Sequence, residues 1–264
     1  MHFTKMHGLG NDYLYVYGEV PPDIAELSRR LSDRHFGAGS DGMIYISPSR
    51  TADFRMRIFN ADGSEAKMCG NGIRCVGKYV YDKGYTDKTR LTIETLSGIR
   101  TLDLTVRGGR VKSAAVEMGR TETRQDMTLS AGGVTVTGTP VSVGNPHFVI
   151  FVEDMDAVRP ELTGPVIEKH AAFPEGVNVE FVQVTGEDEL RMRVWERGSG
   201  VTMACGTGAC ASAAAAVRKG FCRAGTPIRV RLDGGTLKIT VSRDGSVKMT
   251  GPAESVYEGE AELC

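Results

Sequence analysis

Two segments of the 264-residue chain place a cysteine directly before a glycine-containing turn. The first reads KMCGNGIRC and contains Cys69, and the second reads MACGTGAC and contains Cys205. Each turn leads into a segment with helix propensity, so backbone N–H groups and the positive end of a helix dipole are expected beside each sulfur. That environment favours a bound carboxylate and lowers the free-energy cost of a thiolate. The motifs are therefore candidates for acid/base chemistry beside an anion.

Cys205 follows Cys69 by 136 residues, about half of the chain, which indicates a duplicated half. Inversion of a stereocentre needs a base on one face of a carbon and an acid on the other, and two matched thiols would supply both. We predict two similar domains of about 130 residues each. The predicted N-terminal domain is 1–118, completed by a C-terminal strand in 252–264, and the C-terminal domain is 119–251.

The elements that must position these cysteines are mostly strands. Short alternating segments such as YLYVYG, FRMRIFN, VNVEFVQV and LKITVS are frequent in both halves and predict sheet-rich domains. Helical patterns are fewer, and we predict helices in PDIAELSRRLSDRH, 72–82, GPVIEKHAAF and 208–219. The alanine-rich last helix has little side-chain bulk, so we expect it to lie inside its domain.

Composition favours a small-molecule partner. The 32 basic and 33 acidic residues are interspersed and give a formal net charge of -1, which argues against nucleic acid or an anionic membrane as the partner. The N-terminus lacks the pattern of a signal peptide, and no run of about 18 apolar residues is present. We therefore expect a soluble cytoplasmic protein, in which the six cysteines are thiols.

The other cysteines and histidines do not form a recognisable metal motif. Neither cysteine motif has C-x-x-C spacing and no histidine pair lies at ligand spacing, so zinc is not expected. The glycines do not match a phosphate-binding pattern either, and we expect no cofactor. The remaining cysteines are interpreted as small buried hydrophobes: Cys75, Cys210, Cys222 and Cys264.

Five blocks of sequence carry a family resemblance: KMHGLGNDY, RIFNADGSEAKMCGNGIRC, VGNPHFVIFV, FPEGVNVEFV and RVWERGSGVTMACGTGACASAAA. In this order, over nearly the whole chain, they resemble the diaminopimelate epimerases. The resemblance implies an α+β fold of two similar β-rich domains, each a barrel-like sheet around a central helix, related by internal pseudo-symmetry. It implies an isomerase without pyridoxal phosphate or metal, which interconverts LL- and meso-2,6-diaminopimelate for lysine and peptidoglycan precursor biosynthesis.

The resemblance also assigns residues. It makes Cys69 and Cys205 the acid/base pair and places His147 and Glu196 as supporting groups near them. Glu196 would also lie by the substrate ammonium groups, while Arg197 would pair with the distal carboxylate. Polar side chains expected to contact substrate are Asn11, Asn60, Asn145 and Asn178. Backbone groups expected to hold the reacting carboxylate are Gly70, Asn71, Gly206 and Thr207.

Three positions qualify the resemblance. Gly42 stands where some family members have a substrate-contacting glutamine, so no side-chain contact is assigned there. Trp195 replaces the commoner tyrosine before Glu-Arg, which we interpret as a packing change. Tyr257, in SVYEGEAEL, matches a dimer-contact segment, so a homodimer is expected.

Three other functions are compatible with parts of the sequence. A proline or hydroxyproline racemase would also use two cysteines, but it needs no polar pocket for a second amino-acid head group. A phenazine-biosynthesis type of isomerase shares the implied fold but lacks the cysteine pair. A redox or disulfide-exchange protein would require Cys69 and Cys205 to come close enough to bond.

Overall fold

A computed structural model describes residues 1–262, so Cys264 and the end of the predicted segment 252–264 lie outside the described residues. The fold is α+β and sheet-rich, as predicted. The helices are α1 (Ile24–Ser32), α2 (Gly70–Asp82), α3 (Pro160–Glu168) and α4 (Gly206–Arg218). The strands are β1 (His2–Gly8), β2 (Asn11–Tyr17), β3 (Gly42–Pro48), β4 (Phe54–Asn60), β5 (Glu65–Ala66), β6 (Arg90–Thr95), β7 (Gly98–Arg107), β8 (Arg110–Arg120), β9 (Glu122–Thr123), β10 (Met127–Ala131), β11 (Val134–Ser142), β12 (Pro146–Phe151), β13 (Asn178–Gly186), β14 (Glu189–Glu196), β15 (Gly200–Val201), β16 (Pro227–Leu232), β17 (Gly235–Val241), β18 (Ser246–Pro252) and β19 (Glu254–Glu260).

The chain divides into two compact units. Unit 1 comprises Met1–Val116 and the chain from Gly251 onward, and unit 2 comprises Glu117–Thr250. In unit 1, β2 and β3 are parallel neighbours, and the chain between them contains α1. Strand β3 pairs antiparallel with β4, and β4 is a parallel neighbour of β6, with α2 in the chain between them. Unit 2 repeats the scheme, with β12 parallel to β13 through α3 and β14 parallel to β16 through α4. The predicted duplication therefore extends to the strand pairing.

One hairpin breaks the repeat. Strand β10 pairs antiparallel with the first half of β11, from Met127 opposite Gly138 to Ala131 opposite Val134. The second half of β11 pairs with β12 and β9, as β1 pairs with β2 and β19 in unit 1. The hairpin is thus an addition to the scheme that the two units share.

A buried helix lies at the centre of each unit. All residues of α2 from Gly70 to Val80 are buried, and α4 is buried from Gly206 to Ala216 except at Thr207. Both helices begin two residues before the predicted positions, because Cys69 and Cys205 are N-caps whose sulfurs accept the N–H groups of the third helical residue. The alanines of α4 leave room for the close approach of surrounding strands, as expected for an internal helix.

The other two helices cover the sheets. Leu27 and Leu31 of α1 pack in a cluster with Phe3, Leu14 and Phe59. Helix α3 begins at Pro160, four residues before the segment predicted as helical, and its Ile167 packs with a second cluster. Proline at the first helical position costs no hydrogen bond, which explains the earlier start.

Candidate active site

Cys69 ends the loop before α2 and points its thiol at a polar partner. Its sulfur accepts the Gly72 N–H at 3.3 Å, and its thiol donates to Oδ1 of Asn11 at 3.2 Å. Nδ2 of Asn11 in turn donates to Oδ2 of Asp41 at 2.8 Å. The amide of Asn11 is therefore held with its oxygen toward the thiol.

Tyr13 is the buried phenol beside this thiol. Burial raises its pKa well above the ordinary value, and the nearby Cys69 raises it further, while a hydrogen bond from Asn11 lowers it. The phenol is consequently neutral at physiological pH. Tyr13 therefore places a polar but uncharged hydroxyl group next to Cys69.

A network of charges supports Asn11 from behind. Arg34 donates to Asp12 at 2.8 Å and to Asp41 at 3.0 Å, and the ammonium of Lys5 also contacts Asp12. Burial alone would raise the pKa of Asp12, but hydrogen bonds from Arg34 and Lys5 lower it below the ordinary value. Asp12 thus remains ionised and can act as an acceptor.

Cys205 occupies the equivalent position at the start of α4, but its surroundings differ. Its sulfur accepts the Gly208 N–H at 3.3 Å and lies 3.6 Å from Oγ1 of Thr207. The residue is 4% exposed. Burial raises its pKa well above the ordinary value, and the carboxylates of Glu196 and Glu180 raise it further. The Cys205 side chain is therefore a protonated thiol at neutral pH.

A fully buried histidine–carboxylate pair lies in the same part of unit 2. Nδ1 of His147 is 2.7 Å from Oε1 of Glu180, and neither side chain is exposed. Nε2 of His147 is 3.1 Å from Oδ1 of Asn145. The Asn145 amide nitrogen donates toward Oγ1 of Thr207 at 3.4 Å. This chain of contacts runs from Glu180 to the first turn of α4.

Glu196 contributes a second carboxylate near Cys205. It accepts hydrogen bonds from Thr202 and from the Cys205 thiol. Burial raises its pKa above the ordinary value, although these hydrogen bonds counteract part of the effect. Cys205 therefore has an acceptor that could exchange a proton with it.

Asn178 and Arg197 lie together at adjacent strand ends. Oδ1 of Asn178 accepts the backbone N–H of Arg197 at 2.9 Å, and Nδ2 donates to the carbonyl of Pro146 at 3.0 Å. The exposed guanidinium of Arg197 donates to the carbonyl of Glu175 at 2.8 Å. The backbone after β14 is thereby fixed while the Arg197 side chain stays at the surface.

The remaining predicted site residues lie at strand ends, at helix starts or on the last strand. Asn60 ends β4 and its amide donates to Ser64 at 3.0 Å. Oδ1 of Asn71 accepts from Arg74 at 3.1 Å. Gly70 and Gly206 are the first residues of α2 and α4. Tyr257 is exposed on β19, and its ring packs edge-on against Phe3.

Three residues that contact the predicted site residues were not assigned from the sequence: Tyr13, Asp41 and Glu180. A comparison of the two halves at a spacing of about 136 residues would have identified Glu180, because it replaces an isoleucine, Ile44, in an otherwise apolar strand. Asp41 has no such signal, since its role depends on contact with a distant strand.

The other cysteines with described positions are buried. Cys75 and Cys210 are fully buried in α2 and α4, and Cys222 is also buried. Burial raises the pKa of the Cys75 thiol to about 11. Among the described residues, no cluster of three or more His, Cys, Asp or Glu side chains is arranged to hold a metal ion. Within 1–262, none of the helices has the length and apolar character needed to cross a lipid bilayer.

The sequence matches a family model described as diaminopimelate epimerase over residues 3–123 and 139–256. A diaminopimelate epimerase from Phocaeicola vulgatus is 52% identical over 276 residues, covering 99% of this chain and 98% of that protein. The chain belongs to the diaminopimelate epimerase family. A diaminopimelate epimerase from Methanococcus maripaludis is 48% identical, with 100% of both chains covered. The resemblance recognised in the sequence is confirmed, and with it the predicted enzyme class, an isomerase. The part between the two matched ranges contains the added hairpin of β10 and β11.

Solved structures with the same fold are more distant in sequence. A probable proline racemase from Agrobacterium radiobacter has a TM-score of 0.78 at 18% identity and covers 100% of this chain and 93% of its own. A phenazine biosynthesis protein of the PhzF family from Bacillus anthracis has a TM-score of 0.76 at 17% identity, with 100% and 99% covered. At these identities the likeness concerns the fold alone.

Proposed function

We propose that the protein interconverts LL- and meso-2,6-diaminopimelate by proton transfer at one α-carbon, with Cys69 and Cys205 as the acid/base pair. The observation that carries the proposal is internal to the chain: each unit begins its buried central helix at a capping cysteine, and the chain belongs to the diaminopimelate epimerase family. Two equivalent thiols suit a reaction that needs equivalent groups on opposite faces of a carbon.

The proposed step conserves protons. A thiolate removes the α-hydrogen as a proton and becomes a thiol, and the electron pair of the broken C–H bond is delocalised into the adjacent carboxylate. The other cysteine, initially a thiol, donates its proton to the opposite face and becomes a thiolate. The reverse direction exchanges the two roles. N–H groups at Gly70–Asn71 and Gly206–Thr207 would stabilise the carboxylate as charge develops on it.

Substrate selection is assigned to polar groups of both units. Asn11 already shares its amide oxygen with Cys69, and Asn145 contacts Thr207 at the start of α4. Arg197 offers a planar guanidinium that suits the distal carboxylate, and Asn178 braces its backbone. Asn60 and Glu196 complete the proposed substrate contacts, with Glu196 beside an ammonium group.

The proposal extends to assembly and location. An exposed strand, β19, carries Tyr257 and Val256, which are 44% and 55% exposed. An apolar pair on an exposed strand supports a homodimer contact there. The cysteine content supports a reducing, cytoplasmic setting, and the small-molecule substrate supports a role in lysine biosynthesis.

Reaction in deuterated water tests the function. Purified protein under reducing conditions should convert LL-diaminopimelate to the meso form and incorporate deuterium at the α-carbon of the product. Proline and hydroxyproline serve as competing substrates. Efficient epimerisation of either, without reaction of diaminopimelate, would favour the racemase alternative, and absence of exchange with all three would contradict an epimerase.

A further inference from the structure

Glu180 occupies in unit 2 the position that Ile44 occupies in unit 1. Each is the third residue of its strand, β13 or β3, and each lies opposite the equivalent residue of the preceding parallel strand, Val149 or Tyr15. The two side chains also face equivalent glycines of the central helices. A methyl group at Gly72 would meet Cδ1 of Ile44 at 2.7 Å, and one at Gly208 would meet Oε1 of Glu180 at the same distance.

The fold does not require a carboxylate at this position. Glu180 is fully buried, and its Oε2 has no hydrogen-bond partner among the described residues. Removing a carboxylate from water is unfavourable unless its charge is compensated, whereas Ile44 completes the same strand arrangement with an apolar side chain. The carboxylate therefore calls for an explanation other than packing.

The hydrogen bonds of His147 show where a proton must lie. An amide oxygen only accepts, so Nε2 carries a hydrogen directed to Oδ1 of Asn145. Nδ1 and Oε1 of Glu180 are 2.7 Å apart, a contact that needs one proton between them. With the ring fixed in this way, the Asn145 amide nitrogen faces Thr207. The residue of unit 1 equivalent to His147 is Tyr13. The pair Leu14 and Met43 in unit 1 corresponds to the pair Phe148 and Val179 in unit 2. Tyr13 comes directly before Leu14, as His147 comes directly before Phe148.

We propose that Glu180 is a positioning residue for the second thiol: through a proton shared with His147 it fixes that ring and Asn145, and it places a carboxylate beside Cys205. The inference rests on the proposed epimerase function. The groups that face Cys205 are Glu196 from β14, Glu180 from β13 and the hydroxyl of Thr207 from α4, with His147 from β12 behind Glu180. Unit 1 has Ile44 and Tyr13 at the positions of Glu180 and His147, so this carboxylate and this ring have no counterpart in unit 1.

Two replacements separate the roles of charge and shape. Glu180→Gln keeps the shape and removes the charge, and Glu180→Ile installs the residue of the other unit. In a Cys69→Ala background, the thiolate absorbance of each protein minus that of the same protein carrying Cys205→Ala reports the ionisation of Cys205 without any need for turnover, because the other thiols cancel in the difference. Both replacements should shift this ionisation to lower pH. Glu189→Gln, at the far end of the neighbouring strand, is the matched control and should not shift it.

Rates in both reaction directions complete the test. With both cysteines present, kcat should fall about 10- to 100-fold in Glu180→Gln, the range seen when a group that orients a metal-bound histidine is removed. One reaction direction requires Cys205 to start as a thiol. In Glu180→Gln, the rate of that direction should begin to fall at a lower pH than it does in the wild-type enzyme. An unchanged ionisation of Cys205 and unchanged pH profiles would overturn the inference. Wild-type protein without epimerase activity would instead contradict the proposed function, while the absorbance titration would still test the inference. If the isoleucine variant does not fold, the isosteric glutamine variant retains both readouts.

Discussion

Asn11 is held between Asp41 and Cys69: its amide nitrogen donates to Asp41 at 2.8 Å and its oxygen accepts the Cys69 thiol. Asp41→Ala should release the amide and lower kcat/KM about 10- to 100-fold, as when other orienting groups are removed. Steady-state kinetics and a thermal midpoint measure the effect. Arg34→Gln is the control, because a half-exposed ion pair contributes only about 0–1 kcal/mol. Equal losses in both variants would mean that the charge network, not the orientation of Asn11, matters.

Each capping cysteine should be indispensable for epimerisation. Cys69→Ala and Cys205→Ala should each reduce the rate by at least the ~10²–10⁴-fold typical of acid/base groups, because a single thiol serves only one face of the carbon. Conversion of LL- to meso-diaminopimelate, followed by chiral chromatography, measures the loss. Cys222→Ala, a buried cysteine outside both motifs, should retain activity. Near wild-type turnover in either active-site variant would refute the assignment.

Gly208 leaves no room for a side chain between Glu180 and Cys205. A methyl group there would lie 2.7 Å from Oε1 of Glu180 and 3.2 Å from the Cys205 sulfur. Gly208→Ala should therefore lower the free energy of unfolding by about 1–3 kcal/mol, as overpacking does, and should also reduce kcat. Gly186→Ala is the matched control, since its nearest contact would be 3.8 Å away. Denaturant unfolding of the two variants gives the comparison.

Cys75 should make stability depend on alkaline pH. Burial raises its pKa from 9.0 to about 11, so its contribution is fully present below the unfolded pKa and is lost as pH rises through the folded value. The difference in unfolding free energy between wild type and Cys75→Val should change by about 2–3 kcal/mol over that range. Ile73→Val, in the same buried helix, carries no titrating group and should show a pH-independent difference. A constant difference for Cys75→Val would show that the thiol ionises normally.

Arg197 should determine specificity for a substrate with a second carboxylate. Arg197→Lys keeps the charge but loses the planar pair of donors, so KM for diaminopimelate should rise about 10- to 100-fold, given ~1.5–3 kcal/mol for a charged hydrogen bond. Arg193→Lys, whose guanidinium pairs with Asp233 at 3.3 Å, is the control. An unchanged KM in Arg197→Lys would place the distal carboxylate elsewhere.

The repeated cysteine motif was enough to predict the duplication, because a turn and a helix start have strong local signals in glycine and alanine. The exact helix starts were missed by two residues, since a cysteine rarely serves as an N-cap and only the sulfur contacts to Gly72 and Gly208 reveal that it does so here. The start of α3 was missed because Pro160 reads as a turn residue as readily as a first helical residue.

Glu180 was missed for a different physical reason. In VNVEFVQV the alternation of apolar and polar residues predicts one solvent-facing side, yet the first five residues of β13 are all buried. Alternation cannot reveal a strand with both faces covered, because burial depends on elements distant in sequence, here the central helix that contains Gly208. The same limit applies to Asp41, which lies just before β3 and whose partner Asn11 lies on β2.

Strand β19 pairs with β1, so the first unit is completed by chain that is synthesised after unit 2. On the ribosome, most of unit 1 emerges first but lacks this strand until residues 254–260 have left the exit tunnel. Unit 2 is continuous in sequence and has all of its own chain earlier. Vectorial synthesis therefore favours an order opposite to the usual one, in which the N-terminal domain finishes first. Unit 1 would spend the longest time with an open sheet edge, and this is where chaperone protection during translation would matter most.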